Sequence, residues 1–490
     1  MLSEPVNAAT IGISEISTDG RSAAKQNSDQ KSVQFQDLMA TESNNPTSDF
    51  NGDPLRLSPF ERYMICDERL DCYSMCVPIR WTVQGKPQRE PFRIAFREAI
   101  LWHPMLHSLV DRKVWRINHK AIAEVKIFSD GETPTAADRK VDVFKGPTIR
   151  CNVVEQGEET SIEFMFHHAA TDGVSFMEFC GDVFANYAVA IGKLDRTKLR
   201  RPHQKYLSRR AEVDRAIPEP VDRMTAFRFT AMESLRFFTR RAEMVAGDIA
   251  RDSRQRVQCG DIRILDAPFD MAQSSQVRAA ANEAEVSLND WAILSLLRVI
   301  AKWNDQHLVG SRRSWLVANM PVLLRPRQAV RMSAANMIGY GFLSRQRDAI
   351  DDWDSALQTV AEHSRFIQRW KIGAMFLDGV AMADRIPGGL YAATRATRPA
   401  SCVVTNLGDV PRRFRTKLPL NEDGLTIAGD LTLKRISGAA PLRPGTHVTT
   451  LINTTGGRIN LSLRVMPEIL SQQAAFQLVA RWKEEMMVHS

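Results

Sequence analysis

Three observations predict a mixed α/β fold for this 490-residue chain. Strand-like runs with alternating apolar residues recur between segments whose apolar residues fall at helical spacing. Turn signals such as Gln156-Gly157-Glu158 and Thr455-Gly456-Gly457 separate runs that read as paired strands. No apolar run approaches the ~18 residues that a membrane-spanning helix needs.

Residues 1–50 are rich in Ser, Asn, Gln, Asp and Thr and are expected to be mostly disordered. Pro91 suits a helix start, Phe92, Ala95, Phe96, Ala99 and Ile100 make an apolar stripe, and Pro104 ends it. TIRCNVV and SIEFMFHH form a hairpin, and a helix is expected from about Ser175 to Ile191. The segment 195–257 is polar and basic, punctuated near Pro218 and Pro220; its portion FRFTAMESLRFFTRRAEMVAGDIARD has helical periodicity. Phe237 and Phe238 are expected to pack on the body of the protein rather than touch lipid. Next come a strand near Asp261–Leu265, helices at about 274–284 and 288–304, and a strand at 314–319. THVTTLINTTGGRINLSLRVM reads as a second hairpin, and the closing helix, 470–487, carries Phe476, Val479 and Trp482 on its apolar side. Each half mixes strands and helices, which is compatible with a pseudo-duplicated architecture and does not establish one.

The hydrophobic fraction of 44% is ordinary for a globular protein. The opening MLSEPVNAATIGISEIS lacks a basic start followed by an apolar core, so no secretory signal is expected and a cytoplasmic location is. Seven cysteines, an odd number in a chain this long, point to free thiols in a reducing compartment. Cys66, Cys72 and Cys76 cluster without a paired CxxC or a nearby histidine, so no metal site is expected there. The net charge is +8, with Lys198, Arg200, Arg201, Lys205, Arg209, Arg210, Arg251, Arg254 and Arg256 in the middle of the chain. Such a surplus suits coenzyme A phosphates, an acidic carrier protein or anionic lipid, and equally an ordinary solvated helix face. No nucleic-acid-binding motif accompanies the charge, which argues against nucleic acid as a partner.

The most informative stretch is SIEFMFHHAATDGVSF, residues 161–176. With period two, Ile162, Phe164, Phe166 and His168 point one way, and Glu163, Met165 and His167 the other. His168 thus sits at a strand end in a short loop. Ser175-Phe176-Met177-Glu178 has the form of a capping box, so the next helix is expected to begin there. A neutral imidazole can take a proton from an alcohol, amine or thiol near neutral pH. Asp172 can fold back over the loop, accept backbone N–H bonds and pair with an arginine, and Gly173 permits a tight exit.

HHAATDGVSF resembles the HHxxxDG signature of the chloramphenicol acetyltransferase-like superfamily, which includes condensation domains, alcohol acyltransferases and wax ester synthases. Weaker similarities lie in RLSPFERYM (56–64), FREAILWHPMLHS (96–108), SLNDWAILSLLRVIAKW (287–303), WLVANMPVLLRP (315–326), ANMIGYGF (335–342) and VVTNLGDV (403–410). The resemblance runs from about residue 55 to 487. It implies two similar half-domains with a central channel between them, at 51–255 (including a basic helical linker from about 195) and 256–490. It implies that His168 is the catalytic base, that Asp172 is mainly structural with His167 and Gly173 in support, and that Arg325 is a candidate partner for Asp172. Asn336 is a candidate for the channel wall. The Asp-Phe-Gly-Trp-Gly signature of BAHD enzymes is absent, and Ala169-Ala170-Thr171 selects no subfamily.

The activity this implies is acyl transfer from a thioester, either acyl-coenzyme A or an acyl-carrier protein, to an alcohol or amine. No cofactor or metal is expected beyond the thioester co-substrate, and peripheral membrane contact is compatible with the sequence. No G-x-S-x-G elbow is present, so direct transfer without a covalent enzyme intermediate is expected. Two other readings stay open at this point: a metal-dependent hydrolase using His167, His168 and Asp172, and a non-catalytic acyl-binding protein that keeps the fold.

Overall fold

A computed structural model describes residues 54–68, 75–120, 122–216, 223–249, 263–307, 309–396, 400–443 and 445–490. The expectations for residues 1–50, Cys72, Pro218, Pro220, Arg251, Arg254 and Arg256, and the start of the strand at Asp261, lie outside the described residues.

The N-terminal half runs β1 (Leu55–Arg56), α1 (Pro59–Glu68), β2 (Cys76–Gln84), α2 (Arg89–Trp102), β3 (Ser108–Asp111), β4 (Val114–Ile117), β5 (Val125–Phe128), α3 (Ala136–Arg139), β6 (Ile149–Gln156), β7 (Glu159–His167) and α4 (Gly173–Ala190). The alternating run 159–167 forms β7 because both of its faces find cover. It pairs antiparallel with β2, His167 opposite Cys76, and with β6, Phe166 opposite Ile149. Phe164 and Phe166 are buried against Phe176 of α4, with the Phe166 and Phe176 rings stacked 4.1 Å apart. The stripe on α2 is buried as the spacing predicts: Phe92, Ala95, Phe96, Ala99 and Ile100 all face the core.

After α5 (Arg223–Thr239), the C-terminal half runs β8 (Leu265–Pro268), α6 (Met271–Glu283), α7 (Leu288–Gln306), β9 (Trp315–Leu323), β10 (Ile338–Gln346), α8 (Trp353–Arg369), α9 (Ile372–Arg385) and α10 (Gly389–Ala396). It continues through β11 (Cys402–Asp409), α11 (Val410–Phe414), β12 (Ile427–Ala428), β13 (Leu431–Gly438), β14 (Val448–Thr455), β15 (Arg458–Val465) and α12 (Gln472–Val488). One six-stranded sheet has the order β12-β13-β2-β7-β6-β5, the other β10-β9-β11-β14-β15-β8, and β1-β4-β3 form a small third sheet. The expected hairpins are present, β6–β7 turning at Gly157-Glu158 and β14–β15 at Gly456-Gly457. Both glycines of the second turn have positive φ, as a two-residue hairpin loop of this kind requires.

The two halves are not separate along the chain. Strands β12 and β13 come from the C-terminal half yet join the N-terminal sheet, β13 pairing with β2. Asn453 and Asn460 then donate to the Ile436 carbonyl at 2.8 and 2.9 Å and tie that segment to the second sheet. A division at 255/256 is therefore crossed by residues 427–438.

Several expectations are corrected. The helix after the His-His segment begins at Gly173, because Asp172 and not Ser175 is its N-cap; the Asp172 side chain accepts from the Ser175 N–H. The helical pattern at 227–252 ends at Thr239. Phe237 packs on Phe342 with ring centres 5.0 Å apart, but its neighbour Phe238 is 81% exposed. On α12, Val479 and Trp482 are buried while Phe476 is 58% exposed. Arg210 is no solvated charge: its guanidinium grips buried Glu61 through Nε–Oε1 at 2.7 Å and Nη2–Oε2 at 2.8 Å. No helix among the described residues is long and apolar enough to cross a membrane.

His107, buried at the end of the turn after α2, has its pKa pushed down to about 4, first by burial and then by His119. A depressed histidine contributes stability that is present above its unfolded pKa and lost as pH falls towards the folded value. Stability to urea is expected to decline between about pH 6.5 and pH 4. His107→Gln, which cannot take up the proton, is expected to flatten that decline.

Candidate active site

The site begins where β7 ends. The His168 N–H donates to the Met75 carbonyl at 2.8 Å, and the Asn336 side-chain amide donates to the His168 carbonyl at 2.7 Å. The His168 backbone is thus pinned on both sides. Its ring Nδ1 lies 3.0 Å from the Thr171 carbonyl. A carbonyl only accepts, so Nδ1 carries the proton and Nε2 of the neutral ring carries the lone pair. Burial pushes the imidazole pKa below its ordinary value, against the upward pull of the Thr171 carbonyl and Asp172. The ring is therefore neutral near pH 7, with its basic nitrogen left for the cavity that it helps to line.

His167 does something different. Its Nδ1 accepts from the Ala169 N–H at 3.2 Å, and its Nε2 lies 3.6 Å from Glu68. It is fully buried and shapes the loop from the opposite face of the strand.

Asp172 joins the halves. One carboxylate oxygen accepts from the Ser175 N–H and Oγ, each at 2.8 Å; the other accepts from the Met337 N–H at 2.9 Å. The Arg325 guanidinium lies 3.8 Å from that second oxygen and also donates to Ser175 Oγ. Arg325 is thus brought to Asp172 as the sequence comparison suggests, with Ser175 as an intermediary that sequence reasoning overlooked. Gly173 is the first residue of α4, and a Cβ there would come within 3.2 Å of Leu407, so the exit from the loop is tight. Asn336 is spent on the His168 backbone and does not line the cavity, a correction to its expected place.

The cavity beside His168 has a volume of about 140 Å³ and lies between the halves. Val77, Ile79 and Phe166 come from the first sheet, Asn319, Pro321 and Thr405 from the second. Asn319 is the polar side chain that sequence reasoning missed. Its Oδ1 is buried with no hydrogen-bond partner among the described residues, so it can accept from water or from a ligand in the cavity. The signal was present in the alternation of VANMPV, which puts an asparagine between Val317 and Pro321 on one strand face.

Among the described residues no group of three or more His, Cys, Asp or Glu is placed to hold a metal ion. The trio His167, His168 and Asp172 is split, since the imidazoles face opposite ways and both Asp172 oxygens are engaged by N–H donors.

No protein-family model matches the sequence, and no curated protein matches it. Solved structures do match. The trichothecene 15-O-acetyltransferase from Fusarium sporotrichioides superposes with a TM-score of 0.65 at 12% identity, covering 89% of this chain and 94% of that one. The epimerization domain from the third module of tyrocidine synthetase B gives 0.63 at 13%, covering 89% and 96%. The first condensation domain of the calcium-dependent antibiotic synthetase gives 0.63 at 13%, covering 89% and 97%. The chain has the two-lobed, chloramphenicol acetyltransferase-like fold of these acetyltransferase, epimerization and condensation domains. In this two-lobed fold the Asn-Asp opening of α7 has a structural task here: Asp290 and Ser287 form a capping box, with Ser287 Oγ donating to Asp290 at 2.6 Å.

Replacing Asp172 by Asn keeps a capping oxygen but leaves buried Arg325 without its counter-charge. Denaturant unfolding of Asp172→Asn is expected to show a loss of about 3 kcal/mol. A loss below about 1 kcal/mol would mean that the ion pair is not what joins the halves.

Proposed function

We propose that the protein is an acyltransferase that moves an acyl group from a thioester to an alcohol or amine, with His168 as general base. The observation that carries this reading is the His168 ring: neutral, held by Thr171 through Nδ1, and lining a cavity between the two lobes. The likeness in fold to an acetyltransferase and to condensation domains supports it.

In the reaction, His168 Nε2 takes the proton from the acceptor O–H or N–H as the acceptor attacks the thioester carbonyl. The resulting imidazolium gives that proton to the sulfur as the C–S bond breaks, leaving free thiol and an acyl ester or amide. The thioester comes from acyl-coenzyme A or an acyl-carrier protein. Asn319 is proposed as the polar group on the second lobe that orients the reacting substrate. Asp172, Arg325 and Asn336 act through the His168 loop and touch no substrate in this scheme.

The test incubates purified protein with a panel of acyl thioesters and reads thiol release with and without alcohols and amines. His168→Ala is expected to lower acceptor-dependent release about 10²–10⁴-fold while thermal unfolding stays unchanged. Unaltered turnover in that variant would remove the proposal. Because burial lowers the His168 pKa, the neutral base persists through pH 7. The acid limb of kcat/KM is therefore expected below about pH 6.5. Chelators are expected to leave activity intact; loss on chelation with recovery by zinc would instead favour a metal-dependent hydrolase.

A further inference from the structure

A second, larger cavity of about 450 Å³ lies next to the His168 cavity, and Tyr340 and Arg443 line both. One face of the β9–β10 ladder floors the two. Leu323 and Ile338, Pro321 and Tyr340, Asn319 and Phe342, and Val317 and Ser344 are its successive cross-strand pairs. From Tyr340 to Ser344 the strand advances about 13 Å. The walls between those points are apolar, with Phe237 from α5 and Met375, Phe376 and Val380 from α9. Phe376 sits 5.1 Å from Tyr340 and 5.8 Å from Phe342, ring to ring.

The far end is charged. Arg240 lies over the Trp315 ring at 4.1 Å and donates to Ser344 Oγ at 2.7 Å. Arg345 donates to the Ser344 carbonyl at 2.7 Å, to the His363 Nδ1 at 3.1 Å and to the Thr359 carbonyl. Arg236 pairs with buried Glu233, which also faces His363 Nε2 at 3.9 Å. Three guanidinium groups therefore meet the carboxylate of Glu233 and, beside Arg345, that of Glu362. Among the described residues neither Arg240 nor Arg345 has a carboxylate at salt-bridge distance. Burial, with Arg240 and Arg236 nearby, holds Arg345 down to about 10, and burial with Arg236 lowers Arg240. Positive charge partly withdrawn from water in excess of the carboxylates beside it is costly, and an anion on the ligand would relieve it.

We propose that this cavity binds the acceptor, and that the acceptor is an alcohol with an elongated apolar body and an anionic group, carboxylate or phosphate, that lies about 13 Å beyond Tyr340, the reacting hydroxyl lying on the near side of Tyr340. The anion is held by Arg240 and Arg236, the body lies along Phe342 and Phe376, and the hydroxyl reaches His168 past Tyr340. This rests on the acyltransferase reading for the identity of the hydroxyl end, and on the cavity alone for the rest.

Calorimetric titration of the full-length protein with 10-hydroxydecanoate, its methyl ester and 10-hydroxydecyl phosphate tests it. At least one anionic probe is expected to bind about tenfold or more tighter than the ester, and the tighter one tells carboxylate from phosphate. Arg240→Gln is expected to erase that preference and leave ester binding unchanged. Gly379 of α9 lines the cavity, and a Cβ there meets no atom within 4 Å. Gly379→Leu, a better helix former, is therefore expected to fill the space and abolish binding of all three probes without unfolding the helix. Equal binding of ester and anions, or anion binding indifferent to Arg240→Gln and Gly379→Leu, would overturn the proposal. Anion-dependent binding without thiol release on any acyl thioester would instead overturn acyl transfer and leave the site standing.

Discussion

The carboxylate of Asp172 is the contact on which the rest of the site depends. It starts α4 by capping the Ser175 N–H, and it reaches into the other lobe to accept from the Met337 N–H beside Arg325. One buried group thus fixes a helix end, a loop and an inter-lobe distance together. Its burial is tolerable because each oxygen is bonded and a guanidinium lies close by. The loop between β7 and α4 holds His168, so the same contact sets where the imidazole stands.

Around that anchor, the backbone does much of the positioning. Met75, Thr171 and Asn336 hold the amide, ring and carbonyl of His168 respectively. The consequence is chemical: one ring nitrogen is committed as a donor, which leaves the other basic. Burial adds to this by resisting the imidazolium until a substrate supplies a proton. Beyond the histidine, the face of β9 and β10 carries the cavity wall from Ile338 to Ser344, changing from polar through aromatic to cationic surroundings.

Much of this was legible in the sequence, and the failures have physical causes. Strand β7, helix α2 and both hairpins declared themselves by local periodicity and turn residues, which act over a few residues. Helix α4 did so too, but two capping signals competed at its start. Asp172 takes the cap because its carboxylate reaches the Ser175 N–H, which leaves Ser175 Oγ to meet Arg325. Periodicity gave the stripes on α5 and α12 but not their width, so Phe238 and Phe476 were placed inside when they face solvent. The joining of β13 to β2 links residues some 350 apart, and no local signal encodes it. Arg325 was found through family likeness alone. Arg210 reads as a surface charge until Glu61, far away in sequence, is brought against it.

The protonation state of His168 decides whether it can serve as the base. ¹⁵N chemical shifts of the labelled imidazole, assigned by comparison with His168→Ala, report which ring nitrogen carries the proton. At pH 7.5 the ring is expected to be neutral and protonated at Nδ1, with Nε2 unprotonated. A proton on Nε2, or a ring still doubly protonated at that pH, would contradict that role.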